Sequence, residues 1–313
     1  MSSKSVTELL PNSTTVFRAW PQSGIYTFSR PFARFGVVPI GGRTTIIRMT
    51  QHPNTDALFV LASTPADEPT KQKVSALLAE RPGSKVAFLA AADYVHSLYL
   101  QEWAAAYPDA LIVGVEGLEH KNPAIASWHG IYGRDPPSKT RTYAFEPEIQ
   151  AAYFPTFTNK DVVFHHTPTR TLLTADLLFN LPVKEQYANT PAKRPTSWIP
   201  FLSHISPALS PHRSMHQSFL WSSSAANPIP ASTAAELGEG QVAKPDSGGT
   251  TQERRHHFAN MAALVAGWNP KRIVMCHGEV IDDDDEAGAE GAAKSAWIAA
   301  FGKFLNPDGT TKV

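Results

Sequence analysis

Residues 85 to 96 read Lys85-Val-Ala-Phe-Leu-Ala-Ala-Ala-Asp-Tyr-Val-His96, a continuous apolar run followed by polar residues. A run of this kind is typical of a strand that is covered on both faces, as in a parallel sheet. Residues 57–61 and 111–115 have the same character, and segments with helical spacing lie between the three runs. This alternation of strand and helix predicts an α/β fold built in layers.

Further strands are expected on both sides of this segment. The first ~50 residues are rich in branched and aromatic residues. Within them, the runs 35–40 and 44–49 flank Gly41-Gly42, and a pair of glycines between two apolar runs predicts a β-hairpin.

The later part of the chain returns to short apolar runs. Residues 161–165 and 171–174 flank Pro168 and predict two strands joined by a turn, and residues 271–276 predict another strand. Between them, residues 181–249 lose periodicity and are rich in Pro, Ser and Ala. We therefore expect one domain over residues 1–313 with an insert at about 181–249, whose mobile part is residues 225–249.

A helix is expected directly after this insert. Thr250 and Glu253 have the spacing of a capping box, in which each side chain binds the backbone N–H of the other residue. Phe258, Met261 and Val265 follow at helical spacing.

Composition favours a cytoplasmic protein that acts on a small molecule. Basic and acidic residues number 28 each, so there is no net charge to attract nucleic acid or an anionic membrane surface. The single cysteine, Cys276, excludes an intramolecular disulfide and favours a reducing compartment. No apolar stretch is long enough for a transmembrane helix, and the first residues lack the pattern of a signal peptide. The oligomeric state does not follow from the sequence.

Three polar residues of metal-ligand type share one position in the predicted architecture. His96 lies just beyond the run that ends at Ala91, Asp176 follows residues 171–175, and His277 follows residues 273–276. Sites in layered α/β proteins form at strand ends, because the sheet holds them rigidly and the loops give access. The three residues are therefore candidate ligands of one metal ion. Each also has a plain structural interpretation, as a helix cap, a turn residue or a hydrogen-bonded partner.

The order of these elements, with these residues at the junctions, resembles the metallo-β-lactamase superfamily. Ile273-Val-Met-Cys-His-Gly-Glu-Val-Ile281 is similar to the late strand that ends in a His-Gly ligand turn, and Phe164–Asn180 to the strand that delivers the metal-bridging aspartate. The closest likeness is to a poorly characterised family related to those hydrolases. The resemblance implies an αββα sandwich and a metal-dependent hydrolase.

The first histidine cluster departs from that family, whose pattern is His-x-His-x-Asp-His. Here the matching residues are Ala91-Ala-Asp-Tyr-Val-His96, and Ala91 and Val95 offer no ligand. A site with two metal ions is therefore not expected. The resemblance implies one divalent metal held by His96, Asp176 and His277, with zinc expected and iron as the alternative, because two imidazoles and a carboxylate suit both ions.

Other side chains could complete this centre. Asp93 is expected to be either a fourth ligand or a general base, so that Asp93 and Asp176 are the candidate catalytic carboxylates. His166, in a His-Thr-Pro turn that resembles the third-histidine turn of the family, is a further candidate ligand, with a hydrogen-bonded strand histidine as the alternative.

The insert and the remaining polar groups have weaker interpretations. The insert's rings could line the substrate pocket or anchor the loop to the domain: Trp198, Phe201, His204, His212, His216 and Trp221. Cys276 is expected to be a buried structural thiol, and His120 and His129 ordinary surface residues.

Three functions are compatible with this sequence. The first is a hydrolase that uses a metal-activated water on a small ester, lactone or thioester. The second is a mononuclear non-haem iron oxygenase with the same ligands. The third is a protein that has lost catalysis and uses the fold for binding, as the missing ligands at Ala91 and Val95 suggest.

Overall fold

The computed structural model describes residues 5–51, 53–136, 143–193, 208–234, 248–284 and 289–313. The strands, in chain order, are β1 (Val6–Leu9), β2 (Val16–Trp20), β3 (Ile25–Arg30), β4 (Ala33–Arg34), β5 (Val38–Pro39), β6 (Gly42–Arg48), β7 (Leu58–Leu61), β8 (Val86–Ala90), β9 (Leu111–Val115), β10 (Gly130–Tyr132), β11 (Ile149–Phe154), β12 (Asp161–His166), β13 (Thr171–Thr174), β14 (Arg272–Met275) and β15 (Ile281–Asp282). The helices are α1 (Glu68–Ala79), α2 (Leu100–Ala106), α3 (Leu118–Lys121), α4 (Ser214–Ser223), α5 (Ala231–Ala234), α6 (Thr251–Gly267) and α7 (Ala292–Ala300).

Two large sheets are built from these strands. Within the described residues, the first sheet has eight strands in the order β1-β2-β3-β6-β7-β8-β9-β10, and the second has five in the order β11-β12-β13-β14-β15. Strands β7 to β10 are parallel to one another, and so are β13 and β14. The apolar runs predicted to be strands covered on both faces are β7, β8 and β9, at the centre and far side of the first sheet.

Aromatic side chains fill the space between the two sheets. Phe59 of β7 contacts Phe164 of β12 with ring centroids 5.3 Å apart, and Phe145 contacts Phe59 at 5.3 Å and Phe88 at 5.4 Å. All four rings are buried. Because side chains alternate along a strand, the next residues of these strands face the outer layers.

Helices cover the outer face of each sheet. On the second sheet, Phe154 of β11 contacts Phe258 of α6 and Trp297 of α7 at 5.2 and 6.4 Å between ring centroids. On the first sheet, α1 and α2 bury Val74, Leu77 and Trp103 in the same cluster as the strands. The layers are therefore helix, sheet, sheet and helix, the αββα sandwich expected from the sequence.

The predicted capping box is present at the start of α6. The Thr250 hydroxyl accepts from the backbone N–H of Glu253 at 3.3 Å, and the Glu253 carboxylate accepts from the backbone N–H of Thr250 at 2.6 Å. Two N–H groups that the first helical turn leaves unpaired are satisfied in this way. None of the helices described here is long and apolar enough to cross a membrane.

The hairpin predicted at Gly41-Gly42 is wrong in its position. The turn lies at Phe35-Gly36, where both residues have positive φ (54° and 71°), and joins β4 to β5. Gly41 instead connects β5 to β6, which pairs with β3 and not with the segment just before it. Sheet pairing, and not the glycine pair, therefore decides where this chain reverses.

The described residues of the segment 181–249 include regular structure that its loss of periodicity does not predict. It contains α4, whose His216 and Leu220 are buried against the domain. The burial of these side chains stabilises the helix, and a Pro- and Ser-rich composition does not indicate such burial. Trp198, Phe201 and His204 lie outside the described residues, as does most of the part expected to be mobile.

Candidate metal centre

His96 lies in the loop between β8 and α2, and its ring is oriented by Asp93. The Asp93 Oδ1 atom accepts from the backbone N–H groups of Val95 and His96 at 2.7 and 2.6 Å, which fixes the turn. Its Oδ2 atom accepts from His96 Nδ1 at 2.7 Å. A histidine whose Nδ1 is held by a carboxylate presents Nε2 outward, as metal-binding histidines do.

His277 follows β14 and is oriented by the main chain. Its Nδ1 donates to the carbonyl oxygen of Gly41 at 2.6 Å, so that Nε2 bears the lone pair. The ring of Phe179 stacks on it with centroids 5.4 Å apart and planes 8° apart. His277 Nε2 lies 2.9 Å from Nε2 of His96, which places both ring nitrogens at one point.

Asp176 follows β13 and supplies a carboxylate to the same point. Its Oδ2 accepts from the side-chain amide of Asn159, and Arg34 Nη1 lies 3.8 Å from that oxygen. Its Oδ1 lies 3.5 Å from His277 Nε2 and, among the described residues, has no hydrogen-bond partner although it is buried. A buried carboxylate oxygen without a partner is unfavourable unless another group completes its environment.

One ligand atom from each of His96, Asp176 and His277 lies within 4.8 Å of the others. Two imidazole nitrogens with their second nitrogens already bound, together with an unpaired carboxylate oxygen, form a donor set that suits a divalent cation. The residues therefore fit a single metal ion.

The electrostatics of the group depend on burial and on two carboxylates. Burial opposes a charged His96, but the charges of Asp93 and Asp176 outweigh it and raise the pKa of His96 to about 9. Burial raises the pKa of Asp176 to about 6, although the positive charges of His96 and Arg34 act in the opposite direction. Burial and the His96 charge hold the pKa of His277 well below its ordinary value. Without a metal, protonated His96 therefore donates a hydrogen bond from its Nε2–H to His277 Nε2.

Asp93 lies beside the group and is committed to His96. Both of its oxygens accept hydrogen bonds from the turn or the ring. In this arrangement it orients a candidate ligand, and it is not one of the three residues whose ligand atoms lie within 4.8 Å of one another.

His166 lies away from the group, at the far end of β12. Its Nδ1 is 2.7 Å from the Thr169 hydroxyl, and its Nε2 is 3.4 Å from the buried carboxylate of Glu148. Glu148 also accepts from the backbone N–H groups of Thr50 and Gln51, so the network connects the two sheets. The structure thus places His166 in the role of a hydrogen-bonded strand histidine. Asp161, at the opposite end of β12, is the residue of this strand whose carboxyl group lies near Asp93 and Asp176.

Sequence reasoning missed three residues that surround the centre. Asn159 and Arg34 contact Asp176, and Asp161 is fully buried next to Asp93 and Asp176. Burial, and then the charges of Asp93 and Asp176, raise the pKa of Asp161 well above its ordinary value. Its place at the start of an apolar strand was the available signal, since a carboxylate there must have a partner or a proton.

A cavity of about 310 Å³ opens onto His96 and His277. The rings of Phe32 and Phe35 and the side chain of Leu98 line it, and Phe35 and Leu98 are 84% and 68% exposed. Such a cavity is large enough for a small molecule with an apolar part.

The insert contributes to this site indirectly. His216 Nε2 accepts from the backbone N–H of Phe179 at 3.1 Å, and Phe179 is the ring that stacks on His277. Trp221 packs against Phe304, and His212 lines a separate cavity. Among the described rings of the insert, His216 therefore supports the candidate centre indirectly, because it holds the backbone of Phe179, which packs against His277. Cys276 is buried, its Sγ is 3.3 Å from the Ser63 hydroxyl, and burial raises the pKa of the thiol to about 12.

Comparison with known proteins gives structural likenesses alone. No protein-family model matches the chain, and no curated protein matches it. Among solved structures, a metallo-β-lactamase from Pontibacter korlensis is 11% identical, with a TM-score of 0.46, and the match covers 96% of this chain and 98% of that one. A metallo-β-lactamase from Erythrobacter litoralis with β-mercaptoethanol in its active site is 9% identical (TM-score 0.48; 94% and 98% covered). The metallo-β-lactamase of Pseudomonas aeruginosa in its mono-zinc form is 12% identical (TM-score 0.44; 92% and 95% covered).

At this identity and these scores, the likenesses carry no conclusion about residues or activity. In the described part of the chain, two facing sheets of eight and five strands lie between helices, and a candidate metal centre lies at strand ends of both sheets. The described residues therefore fold as an αββα sandwich.

Proposed function

We propose that this protein is a metal-dependent hydrolase that uses one divalent cation, held by His96, Asp176 and His277, to cleave a small ester, lactone or thioester. Zinc is the proposed metal. The observation that supports this most directly is the geometry of the three ligand atoms, which lie within 4.8 Å of one another at the edge of a cavity.

The surrounding residues prepare the site for a cation. Asp93 and the Gly41 carbonyl hold Nδ1 of the two histidines, so that both Nε2 atoms face one point without further rearrangement. Asn159 holds one oxygen of Asp176 and leaves the other one unpaired. Ligands that are oriented in advance lose less conformational entropy when they bind a metal.

The chemistry divides between the metal and the chain. A divalent cation at such a site lowers the pKa of a coordinated water towards neutrality and polarises a carbonyl group. The cavity walls at Phe32, Phe35 and Leu98 would hold the apolar part of a substrate and exclude water beside the reacting carbonyl. Ala91 and Val95 carry no donor, which favours one cation over two.

Two alternatives use the same residues. An iron oxygenase would bind iron at the same two histidines and carboxylate. A binding protein without catalysis is favoured by the 2.9 Å contact between the two Nε2 atoms, because a shared proton already satisfies both rings without a metal. The metal content of the isolated protein separates these alternatives from the proposed hydrolase.

The first test is the removal of one imidazole at a time. We expect protein purified without a histidine tag to contain about one metal ion per chain, and His96→Ala and His277→Ala to lose it, because two remaining ligands hold a cation weakly. Elemental analysis measures the content. Hydrolysis of ester, lactone and thioester probes should fall at least ~100-fold in both variants.

His120→Ala is the matched control, because His120 is exposed on α3 and should not affect the metal content. Equal metal content in all three variants would contradict the ligand assignment. Stoichiometric iron with no hydrolysis would favour the oxygenase, and a metal-free protein with an unchanged biological effect in His277→Ala would favour the binding protein.

A further inference from the structure

The cavity that opens onto His96 and His277 has arginine side chains in its wall. Two arginines, Arg30 and Arg34, line it, and none of the described residues that line it is acidic. Arg30 is already compensated, because its guanidinium lies 2.5 Å from the carboxylate of Asp67 at the start of α1. Among the described residues, Arg34 is therefore the arginine of this cavity whose guanidinium has only a distant carboxylate neighbour, Asp176 Oδ2 at 3.8 Å.

Within the described part of the chain, no hydrogen bond holds the guanidinium of Arg34. Its nearest carboxylate oxygen is Oδ2 of Asp176, at 3.8 Å, which is too long for a hydrogen bond. The side chain is 45% exposed, and its guanidinium lies 5.3 Å from the centre of the Phe35 ring. An ion pair as long as the one between Arg34 and Asp176, at a half-exposed side chain, contributes little to stability.

The backbone that carries Arg34 is fixed. Residue 34 is in β4, and its carbonyl accepts from the N–H of Val37 at 3.1 Å across the hairpin. The hairpin is attached to the domain at Phe32, whose carbonyl accepts from the backbone of Ile40 and Gly41 and from the Tyr187 hydroxyl. A guanidinium that makes no hydrogen bond within the described residues, on a fixed backbone, is suited to binding an anion, since the donor is in place before the ligand arrives.

The arrangement of charge and apolar surface specifies the ligand. The His96 and His277 rings, the apolar walls at Phe32 and Leu98, and the Arg34 guanidinium lie around one cavity of about 310 Å³. When a cation neutralises Asp176, the attraction between that carboxylate and Arg34 weakens, and the guanidinium becomes available to another anion. A guanidinium binds a carboxylate through two parallel hydrogen bonds, which also fixes its orientation.

We propose that the ligand of this cavity is a small monoanion, in which a carboxylate pairs with Arg34 and an apolar part lies against Phe32 and Leu98. Because the ligand would be the substrate of the proposed hydrolase, the inference deepens that function and rests on it. The carboxylate would determine specificity by holding the ester, lactone or thioester carbonyl beside His96 and His277.

The test measures binding and not turnover. The two probes are N-phenylsuccinamic acid and N-phenylbutanamide, which share a phenyl ring, an amide and two methylene groups and differ in the terminal group, a carboxylate in the first and a methyl group in the second. Isothermal titration calorimetry with the zinc-loaded protein should show at least about tenfold tighter binding of the acid. Arg34→Gln should abolish that difference without changing the affinity for the neutral amide or the metal content, and Arg34→Lys should retain part of it.

Arg81→Gln is the matched control, because Arg81 is an exposed arginine just after α1 that does not line the cavity. The variant should prefer the acid as strongly as the wild type does. Equal affinity of the wild type for both probes, or no binding of the acid at millimolar concentration, would overturn the proposal. A preference that survives Arg34→Gln would also overturn it, because the carboxylate would then bind the metal or Arg30. Failure of the hydrolase proposal would appear separately, as absence of turnover with every ester, lactone and thioester.

Discussion

Asp93 shows how one side chain at this site performs two tasks. It closes the turn after β8 through two backbone N–H groups, and it orients His96 through Nδ1. The negative charge that orients the ring also raises the pKa of His96, so the metal-free site holds a proton between the two Nε2 atoms. A cation bound at the candidate centre would therefore compete with this proton for one position.

This competition predicts how metal affinity depends on pH. Below the His96 pKa of about 9 the cation must displace a proton, so the apparent affinity should rise about tenfold per pH unit between about 6 and 9. Below the Asp176 pKa of about 6 a second proton must leave, and the dependence should steepen. Competition against a chromophoric chelator, corrected for the chelator's own protonation, measures the slope.

Asp93→Asn supplies the comparison for that titration. The variant removes a carboxylate that raises the His96 pKa, so its affinity should stop rising at a lower pH than that of the wild type. An affinity that does not depend on pH, or an unchanged profile in Asp93→Asn, would contradict this account of the site.

At the scale of single elements, the turn after β14 shows why His277 is followed by glycine. Gly278 has φ +103°, and a Cβ atom there would lie 2.3 Å from the carbonyl oxygen of Asn180. The same close approach lets the N–H of Glu279 donate to that carbonyl at 2.9 Å, which joins the chain after β13 to the chain after β14. The turn thus holds the segments that carry Asp176 and His277 side by side at the same edge of the sheet.

Gly278→Ala should therefore destabilise the protein more than an alanine at another position with positive φ, because its Cβ atom would also overlap the backbone of Asn180. We expect a loss of about 3 kcal/mol or more in the free energy of unfolding, from a left-handed alanine and its overlap with the Asn180 backbone. Gly83→Ala is the control, since Gly83 has φ +83° and open space around it, and it should lose about 1 kcal/mol. Urea denaturation measures both, and equal losses would show that the overlap is relieved by movement of the turn.

At the scale of the whole molecule, the aromatic rings packed between the two sheets determine how far apart the sheets lie. The candidate metal centre takes its ligands from both sheets, so its geometry depends on that spacing. Phe164 is fully buried and contacts Phe59, Tyr132 and Phe145, which come from the other sheet or from the loop before β11. His96 comes from the first sheet, and Asp176 and His277 come from the second. Packing between the sheets and geometry of the site are therefore linked.

Phe164→Ala should reduce the free energy of unfolding by about 3–5 kcal/mol, because it removes a buried ring and leaves a cavity. Leu264→Ala, on the exposed face of α6, should change it by less than about 0.5 kcal/mol. Thermal and urea unfolding measure both variants. A small loss in Phe164→Ala would show that the two sheets can close over the missing ring.

The sequence by itself determined the features that depend on neighbouring residues. The apolar runs at β7, β8 and β9, the capping box at Thr250 and Glu253, and the candidate ligand types at strand ends are all visible in it, because burial and helix capping follow local patterns. With the family resemblance, this was enough to predict the layers and to name His96, Asp176 and His277.

Only the tertiary structure decided which of these side chains meet. His96 and His277 are 181 positions apart, and the structure brings their Nε2 atoms within 2.9 Å, whereas His166, only ten positions before Asp176, points into a different network. The same holds for Arg34, which reaches Asp176 from a hairpin that the sequence placed at the wrong glycines. The physical reason is that sheet pairing and register are set by contacts between distant segments, so a local pattern can identify a strand end but not its neighbours.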